Sequence, residues 1–280
     1  MPLLQDFDTA IKLKVRQLAS ITATADRVLS NPQCAAADRR RVGRLAALAH
    51  GEASLRMEAD TAGDAKRLAV LEAGTRYGQP WQLMVAIGDL KRQVTASNGQ
   101  PDFGGASLAY QRALVDMDLL RAANQQVPPE VAERIERLAG QMRMLAPTFT
   151  SGRDLMGRNT RNIMVEAIPV PVQFEYNSES MTELGRKYAE EMLEVLNERR
   201  RPKVRLTGHT DPRGTDPHND ALSERRAAAL KAYLVSRGYP ADNVRTEGVG
   251  RRQPAPITEG DKLTEEQINQ ILRRVELKLE

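Results

Sequence analysis

The spacing of apolar residues divides this chain into two parts. Up to about residue 146, apolar positions recur every three or four residues, as they do along one face of a helix. Further along the chain, short alternating segments lie between stretches of helical spacing, which is typical of strands that bury one face. The pattern predicts an all-helical domain over residues 1–146 and a domain of strands and helices over residues 165–280. Residues 147–164, with several glycines and polar residues, are predicted to link the two.

Five helices are predicted in the N-terminal half from this spacing and from the residues that start and stop helices. For example, Asp38 lies near the start of the first helix and Gly63 lies just beyond its end. The predicted helices are Ala36–Ala62, Asp64–Ala73, Trp81–Ala96, Gly105–Ala123 and Glu130–Leu145.

One of these helices carries a pattern of small and bulky residues. Ala106 and Ala113 flank Tyr110 on one face, so that a neighbouring helix could come close while the aromatic ring fills the gap. In this respect residues 100–145 weakly resemble one unit of a tetratricopeptide repeat, although no clear repeat of roughly 34 residues is found. Plain packing of helix against helix is the alternative interpretation. Both indicate a surface for protein contacts rather than a catalytic pocket.

The C-terminal half predicts an α+β domain with the element order βαβαββ. Thr182 is suited to cap the first helix, and Gly238 is suited to end the second. This order calls for a mixed sheet with helices packed against it. The predicted elements are a strand over Val170–Tyr176, a helix over Thr182–Glu198, a strand at Val204–Leu206, a helix over Asn219–Arg237, and strands over Val244–Val249 and Arg274–Leu279.

Composition and charge exclude several classes of protein. The chain has a net charge of +4, but residues 169–280 contain 19 basic and 19 acidic residues, so the excess lies in the N-terminal half. No dense basic face interleaved with aromatic residues is present, and nucleic-acid binding is not predicted. The single cysteine, Cys34, rules out an intrachain disulfide framework. No apolar run approaches the roughly 20 residues of a membrane helix. The N-terminus lacks the pattern of a signal peptide. An export signal, if the protein works outside the cytoplasm, is therefore expected to have been removed or replaced.

Two charged residues in the C-terminal half form a candidate binding pair. Asp211 follows a predicted strand, and Arg226 lies about two turns into the next helix. Such positions meet at one rim of an α/β layer, where ligands commonly bind. A carboxylate and a guanidinium together suit a ligand that carries both an ammonium and a carboxylate, and the nearby helix start at Asn219 would favour an anion. From the residues alone, an internal salt bridge between Asp211 and Arg226 is the other interpretation.

Around this pair the sequence resembles the OmpA C-terminal domain family over residues 165–280. The resemblance implies an OmpA-like fold that binds the diaminopimelate of the peptidoglycan stem peptide, with Asp211 on its ammonium and Arg226 on its carboxylate. It also implies that Thr210, Asn219, Leu222, Tyr176 and Asn177 line the pocket. Three residues depart from the family pattern at positions expected at the pocket rim: Asn177, His218 and Leu272. The residues that carry the resemblance are Gly208-His209-Thr210-Asp211-x-x-Gly214, Asn219-x-x-Leu222-Ser223-x-x-Arg226-Ala227, Gly248-x-Gly250, Gln253-Pro254 and Arg273-Arg274-Val275-Glu276.

The sequence favours binding without catalysis. His209, Asp211 and His218 form only a weak metal pattern, and no nucleophile elbow or phosphate loop occurs. No cofactor or metal is expected, and a wall-modifying enzyme is disfavoured. The resemblance implies a periplasmic protein at the cell wall or outer membrane, which anchors a helical protein-interaction domain to peptidoglycan. The alternative is a structural component of an envelope-spanning assembly, such as a secretion system or motor stator. The protein partner of the helical half stays open.

Overall fold

A computed structural model describes residues 5, 18–57, 61–94, 100–148, 168–175 and 177–280. The chain divides into two compact units, residues 1–135 and 136–280. This division falls inside a helix, whereas the predicted domain boundary lies at residue 146. Most of the predicted linker, residues 149–164, lies outside the described residues.

The N-terminal unit is built from helices that pack against their neighbours in the chain. The helix predicted over Ala36–Ala62 ends earlier, at Leu55, and the next helix begins at Thr61. At the end of the first of these, the Arg56 N–H donates to the Ala53 carbonyl and the Met57 N–H donates to the Ser54 carbonyl, which tightens the last turn. The helices are α1 Leu18–Ser30, α2 Ala36–Leu55, α3 Thr61–Gly74, α4 Trp81–Lys91, α5 Phe103–Ala122 and α6 Pro129–Leu145.

The small and bulky residues of α5 do make a close helix contact. Ala106, Tyr110 and Ala113 are fully buried. The Tyr110 ring lies against Gly88 of α4, where an added Cβ would stand 2.5 Å from the ring. The Tyr110 hydroxyl donates to Asp89 at 2.7 Å. This packing agrees with both helix packing and a single tetratricopeptide-like unit, so the repeat resemblance stays a prediction.

The C-terminal unit contains a four-stranded mixed sheet with the strand order β1-β4-β2-β3. Strand β4 is antiparallel to β1 and β2, and β2 is parallel to β3. The α+β class and the mixed sheet are as predicted, but an additional helix, α9, precedes the last strand. The elements are β1 Ile168–Val170, α7 Glu183–Glu198, β2 Val204–Gly208, α8 Asp216–Ser236, β3 Val244–Gly248, α9 Glu265–Leu272 and β4 Val275–Leu279, with 3-10 turns at Ala241–Asn243 and Gly260–Lys262.

The first strand is displaced from its prediction. Strand β1 ends at Val170, and Phe174 makes only an isolated bridge with Met181. Pro171 follows β1 directly, and because proline has no N–H to donate, it interrupts the ladder. The predicted strand over Val170–Tyr176 is therefore wrong from Pro171 onward, within the residues that the structure describes.

The core of this unit lies between the sheet and the helices α7 and α8. Side chains alternate along β2, with Val204 and Leu206 fully buried. From the helices, Tyr188, Met192 and Leu230 are fully buried in the same cluster. Thr182 caps α7 as predicted, since its hydroxyl accepts from the Gly185 N–H at 2.9 Å.

Two glycines bring α8 unusually close to the sheet. Gly208 of β2 and Gly248 of β3 lie opposite each other in the parallel pair. A Cβ at Gly208 would stand 2.1 Å from the Ser223 carbonyl oxygen, and a Cβ at Gly248 would stand 2.4 Å from the Glu224 nitrogen. Only glycine leaves room for this helix backbone, so the two positions fix the height at which α8 crosses the strands.

Candidate binding pocket

A pocket of about 540 Å³ opens where β2 ends and α8 begins. Six of the seven predicted site residues line it: Asn177, Thr210, Asp211, Asn219, Leu222 and Arg226. The seventh, Tyr176, lies outside the described residues. The other lining residues are Phe174, Arg213, Gly214, His218, Glu266 and Arg273.

The loop that carries Asp211 is fixed from two sides. The Thr210 N–H donates to the Gly250 carbonyl at 2.9 Å, and the Gly250 N–H donates to the Ser223 hydroxyl at 2.9 Å. Gly250 has φ +55°, a left-handed conformation that glycine adopts without strain. The loops after β2 and β3 are thus joined to α8, which holds Asp211 at the helix end that carries Asn219.

His209 supports this loop from beneath. It is buried, and its Nδ1 lies 3.1 Å from the Gln253 carbonyl oxygen. Its Nε2 lies 3.4 Å from Glu276. Through these contacts His209 supports the loop. Among the described residues, no group of three or more histidine, cysteine, aspartate or glutamate side chains could hold a metal ion.

Asp211 is held by two arginines rather than by Arg226. Its Oδ2 accepts from Arg213 Nη2 at 2.7 Å and from Arg273 Nη1 at 2.8 Å, and its Oδ1 accepts from the Arg213 N–H at 3.0 Å. Burial raises the pKa of the Asp211 carboxyl, but these hydrogen bonds outweigh burial and lower the pKa below its ordinary value. The charge of Asp211 is therefore compensated by Arg213 and Arg273, and not by an internal salt bridge with Arg226.

Arg226 is the less satisfied partner. Its Nε donates to the Ser178 carbonyl at 3.1 Å, and its guanidinium lies 5.1 Å from the centre of the Phe174 ring. Its two terminal amino groups have no acceptor among the described residues. Burial and the nearby charge of Arg273 lower the pKa of Arg226 to about 10. The guanidinium is still charged at neutral pH, and a carboxylate in the pocket would stabilise that charge.

Two more polar groups face the same space. The Thr210 hydroxyl is buried and has no hydrogen-bond partner among the described residues. Asn219 does not offer a free helix N–H, because α8 begins at Asp216, and the Asn219 N–H donates within the helix to Thr215. Its side-chain amide instead donates to the Arg213 carbonyl at 2.9 Å. The Thr210 hydroxyl is thus an unsatisfied polar group in the pocket wall, whereas Asn219 shapes the loop.

Sequence reasoning missed the arginines and the glutamate that surround Asp211. Glu266 accepts from Arg273 at 2.8 Å and from Arg213 at 3.3 Å, which closes a network of four charges. A signal for the helix that carries Glu266 existed, because Thr264 and Gln267 form a capping box. No local pattern could have shown which carboxylate each arginine meets.

The three departures from the family pattern have different surroundings. Asn177 and His218 both line the pocket, where the His218 Nε2 lies 2.9 Å from the Asn177 side-chain oxygen. Leu272 is buried and is not among the lining residues. The expectation that Leu272 touches the pocket rim is wrong, because its side chain packs inward at the end of α9.

The charges of the pocket define a class of ligand. Three guanidinium groups, from Arg213, Arg226 and Arg273, face two carboxylates, from Asp211 and Glu266. The surplus positive charge lies at Arg226, beside a carboxylate that can exchange a guanidinium for another cation. Such a pocket suits a small ligand that carries a carboxylate and, close to it, an ammonium group.

The comparison with known families agrees with the fold. Residues 173–269 match the model of the OmpA family, and the C-terminal part of the chain is an OmpA-like domain. One relative is the peptidoglycan-associated lipoprotein of Rhizobium meliloti (strain 1021), 46% identical over 54 residues, which are 19% of this chain and 31% of the relative. Another is outer membrane protein A of Bordetella avium, 35% identical over 81 residues, which are 29% of this chain and 42% of the relative.

Part of the chain is also similar to a solved structure. The peptidoglycan-associated lipoprotein from Burkholderia pseudomallei is 24% identical, with a TM-score of 0.34 over 39% of this chain and 88% of that chain. The chain spans less than half the length of the two curated relatives described above. Among the helices that the structure describes, none has the length and apolar character needed to cross a membrane.

Proposed function

We propose that the C-terminal unit binds peptidoglycan through the diaminopimelate of the stem peptide and anchors the rest of the chain to the cell wall. The free end of diaminopimelate carries an ammonium and a carboxylate on one carbon. In this proposal Arg226 takes the carboxylate by a bidentate contact, and Asp211 takes the ammonium in place of Arg213. Thr210, Asn177, Asn219, Leu222 and Tyr176 complete the surroundings. The binding involves no turnover of the ligand.

The observation that carries the proposal is the state of Arg226. It is 7% exposed, its terminal amino groups face the pocket without an acceptor among the described residues, and its charged form is disfavoured there. A buried cation in this state is costly unless an anion joins it. The names of relatives add support, since two families of envelope proteins, peptidoglycan-associated lipoproteins and outer membrane protein A, share the domain. Such an anchor would work in the periplasm.

The helical unit is proposed to provide the protein contacts. Helix α5 exposes Leu108, Val115 and Leu119, which follow one another at helical spacing and are 41%, 40% and 65% exposed. An apolar stripe of this kind favours contact with another protein. A role in an envelope-spanning assembly is the second candidate. It predicts that this unit self-associates or retains a stable partner, whereas a monomer without a co-purifying protein would count against it.

The test is retention of the purified full chain on isolated sacculi. Wild type is expected to pellet with the sacculi, and Asp211→Ala and Arg226→Ala are expected to lose at least about 90% of retention, because each removes one charge contact of about 1.5–3 kcal/mol. Arg237→Ala is the matched control, since Arg237 is an exposed arginine at the far end of α8 that pairs with Glu190. Equal retention of all four proteins would refute the proposal.

A further inference from the structure

A second cavity adjoins the binding pocket. It has a volume of about 270 Å³, and Phe174, Arg226 and Arg273 line both cavities. Its remaining lining residues are Met144, Gln173 and Gln270. Ligand sites usually enclose about 300–1,000 Å³, so the larger cavity is of ordinary size and the smaller one suits an extension of the same ligand.

The groups that line this second cavity differ from those around Asp211. Gln270 Nε2 donates to the Met144 carbonyl at 2.8 Å, which fixes the Gln270 amide and leaves its oxygen available. The side-chain amide of Gln173 has no partner among the described residues and offers both a donor and acceptor. Arg226 contributes a positive charge from the shared wall. Carboxamides of this kind pair with the N–H and C=O groups of a peptide, and the guanidinium favours a nearby carboxylate.

We propose that this second cavity is a subsite for the acidic peptide segment that precedes diaminopimelate in the stem. The inference rests on the proposed function, because it places diaminopimelate between Asp211 and Arg226. With the zwitterion there, the chain that leaves it crosses the wall formed by Phe174 and Arg226. Gln173 and Gln270 then bind its peptide groups, and Met144 packs against its apolar atoms.

One residue that lines this subsite, Met144, lies outside the region that matches the OmpA family. Met144 lies at the end of α6, before residue 173, where the match to the OmpA family begins. The helix end is held in the C-terminal unit by the contact between Gln270 and Met144 and by the ion pair between Arg143 and Glu191. The subsite therefore requires residues that a domain boundary at residue 146 would remove.

The test compares two probes by isothermal titration calorimetry with the full chain. The probes are free meso-diaminopimelate and the tripeptide alanyl-γ-glutamyl-diaminopimelate. Wild type is expected to bind the tripeptide about tenfold more tightly, as two added hydrogen bonds would provide. The Gln173→Ala/Gln270→Ala variant is expected to bind both probes within about twofold of each other, at the wild-type affinity for the free amino acid.

Controls separate this inference from the proposed function. Gln173→Ala alone changes a side chain without a hydrogen bond among the described residues, so its fold is expected to be intact, and it is expected to lose about threefold for the tripeptide only. Asp211→Ala is expected to lose both probes. A full tripeptide advantage in the double variant, or no advantage in wild type, would overturn the subsite while leaving the main pocket in place. Failure of wild type to bind either probe would overturn both.

Discussion

Two buried pairs of arginine and acid in the C-terminal unit differ in whether the two charges contact each other. Arg143 and Glu191 contact each other directly, with side chains 2% and 4% exposed, and Arg143 also lies over the Tyr188 ring. Asp211 and Arg226 are nearly as buried, yet each contacts other groups, and both face an open pocket. Burial and residue type are alike in the two pairs. What differs is whether the two charges compensate each other directly, as in Arg143 and Glu191, or have other surroundings, as in Asp211 and Arg226.

The described contacts do not include the internal salt bridge that the sequence allowed between Asp211 and Arg226. In an internal salt bridge such as Arg143–Glu191, the two charges compensate each other, so the pair needs no ligand. In the pocket, Arg213 and Arg273 compensate Asp211, and Arg226 has no carboxylate within hydrogen-bond distance among the described residues. We call Arg143–Glu191 the closed pair and Asp211–Arg226 the open pair. The closed pair is therefore expected to control stability, and the open pair is expected to control binding.

The largest expected effect comes from breaking the closed pair. Arg143→Ala removes the guanidinium that contacts the buried Glu191 carboxylate, which is expected to lower the free energy of unfolding by about 3–5 kcal/mol. Urea denaturation of the full chain measures this. The double variant Arg143→Met/Glu191→Met is the control, because an apolar pair of similar size is expected to recover most of the loss. A loss below about 1 kcal/mol in the single variant would contradict the assignment.

Protonation of Glu276, which is partly exposed and pairs with Arg274, is expected to change stability by an intermediate amount. Burial raises the pKa of the Glu276 carboxyl, but the His209 imidazole, 3.4 Å away, and the charge of Arg274 outweigh burial and lower the pKa to about 2. A lowered carboxyl pKa adds stability that is complete above the unfolded pKa and is lost as the pH falls toward 2. Wild type should therefore lose up to about 3 kcal/mol more than Glu276→Gln between pH 5 and about 2. Parallel pH profiles of urea unfolding would contradict this.

A third substitution tests whether the height of α8 sets the geometry of the open pair. Gly208→Ala places a Cβ against the Ser223 carbonyl, and we expect α8 to shift and the free energy of unfolding to fall by about 1–3 kcal/mol. Because the shift carries Arg226 away from Asp211, retention on sacculi should fall as well. Gly51→Ala is the control, since nothing lies within 4 Å of a Cβ at that helical position. Unchanged retention by a folded Gly208→Ala protein would count against this role.

The smallest expected effect has the opposite sign. Arg226→Met removes a cation whose charged form is disfavoured by burial and by Arg273, at the loss of the hydrogen bond to Ser178. We expect the free energy of unfolding to rise by up to about 1 kcal/mol while binding to sacculi is lost, as occurs where a site is organised for its ligand rather than for stability. Thermal and urea unfolding measure the change. A clear destabilisation would place Arg226 among the structural pairs.

The sequence could predict elements and site residues wherever the signal is local. Helical spacing, the Thr182 cap and the alternation at Val204–Leu206 each depend on a few neighbouring residues, and the motif around Asp211 and Arg226 identified six residues that line one pocket. The partners of the charges could not be predicted in this way. Arg143 and Glu191 are 48 residues apart, and the predicted boundary at residue 146 places them in different domains. The spacing of apolar residues alone does not predict the end of β1 before Pro171 or the short helix α9.

Under the proposed function, the hydrogen bonds from Arg213 and Arg273 to Asp211 have a consequence for the selectivity of binding. Arg213 is about half exposed and acts as an internal competitor for any ligand cation. A simple amine would exchange one cation for another at Asp211 and gain little. A ligand that also brings a carboxylate gains the contact with Arg226, which the protein itself leaves open. The apparent affinity for such a ligand is expected to equal its intrinsic affinity multiplied by the fraction of molecules in which Arg213 does not occupy the Asp211 carboxylate. Under the proposed function, the pocket is expected to discriminate against simple amines without a steric filter.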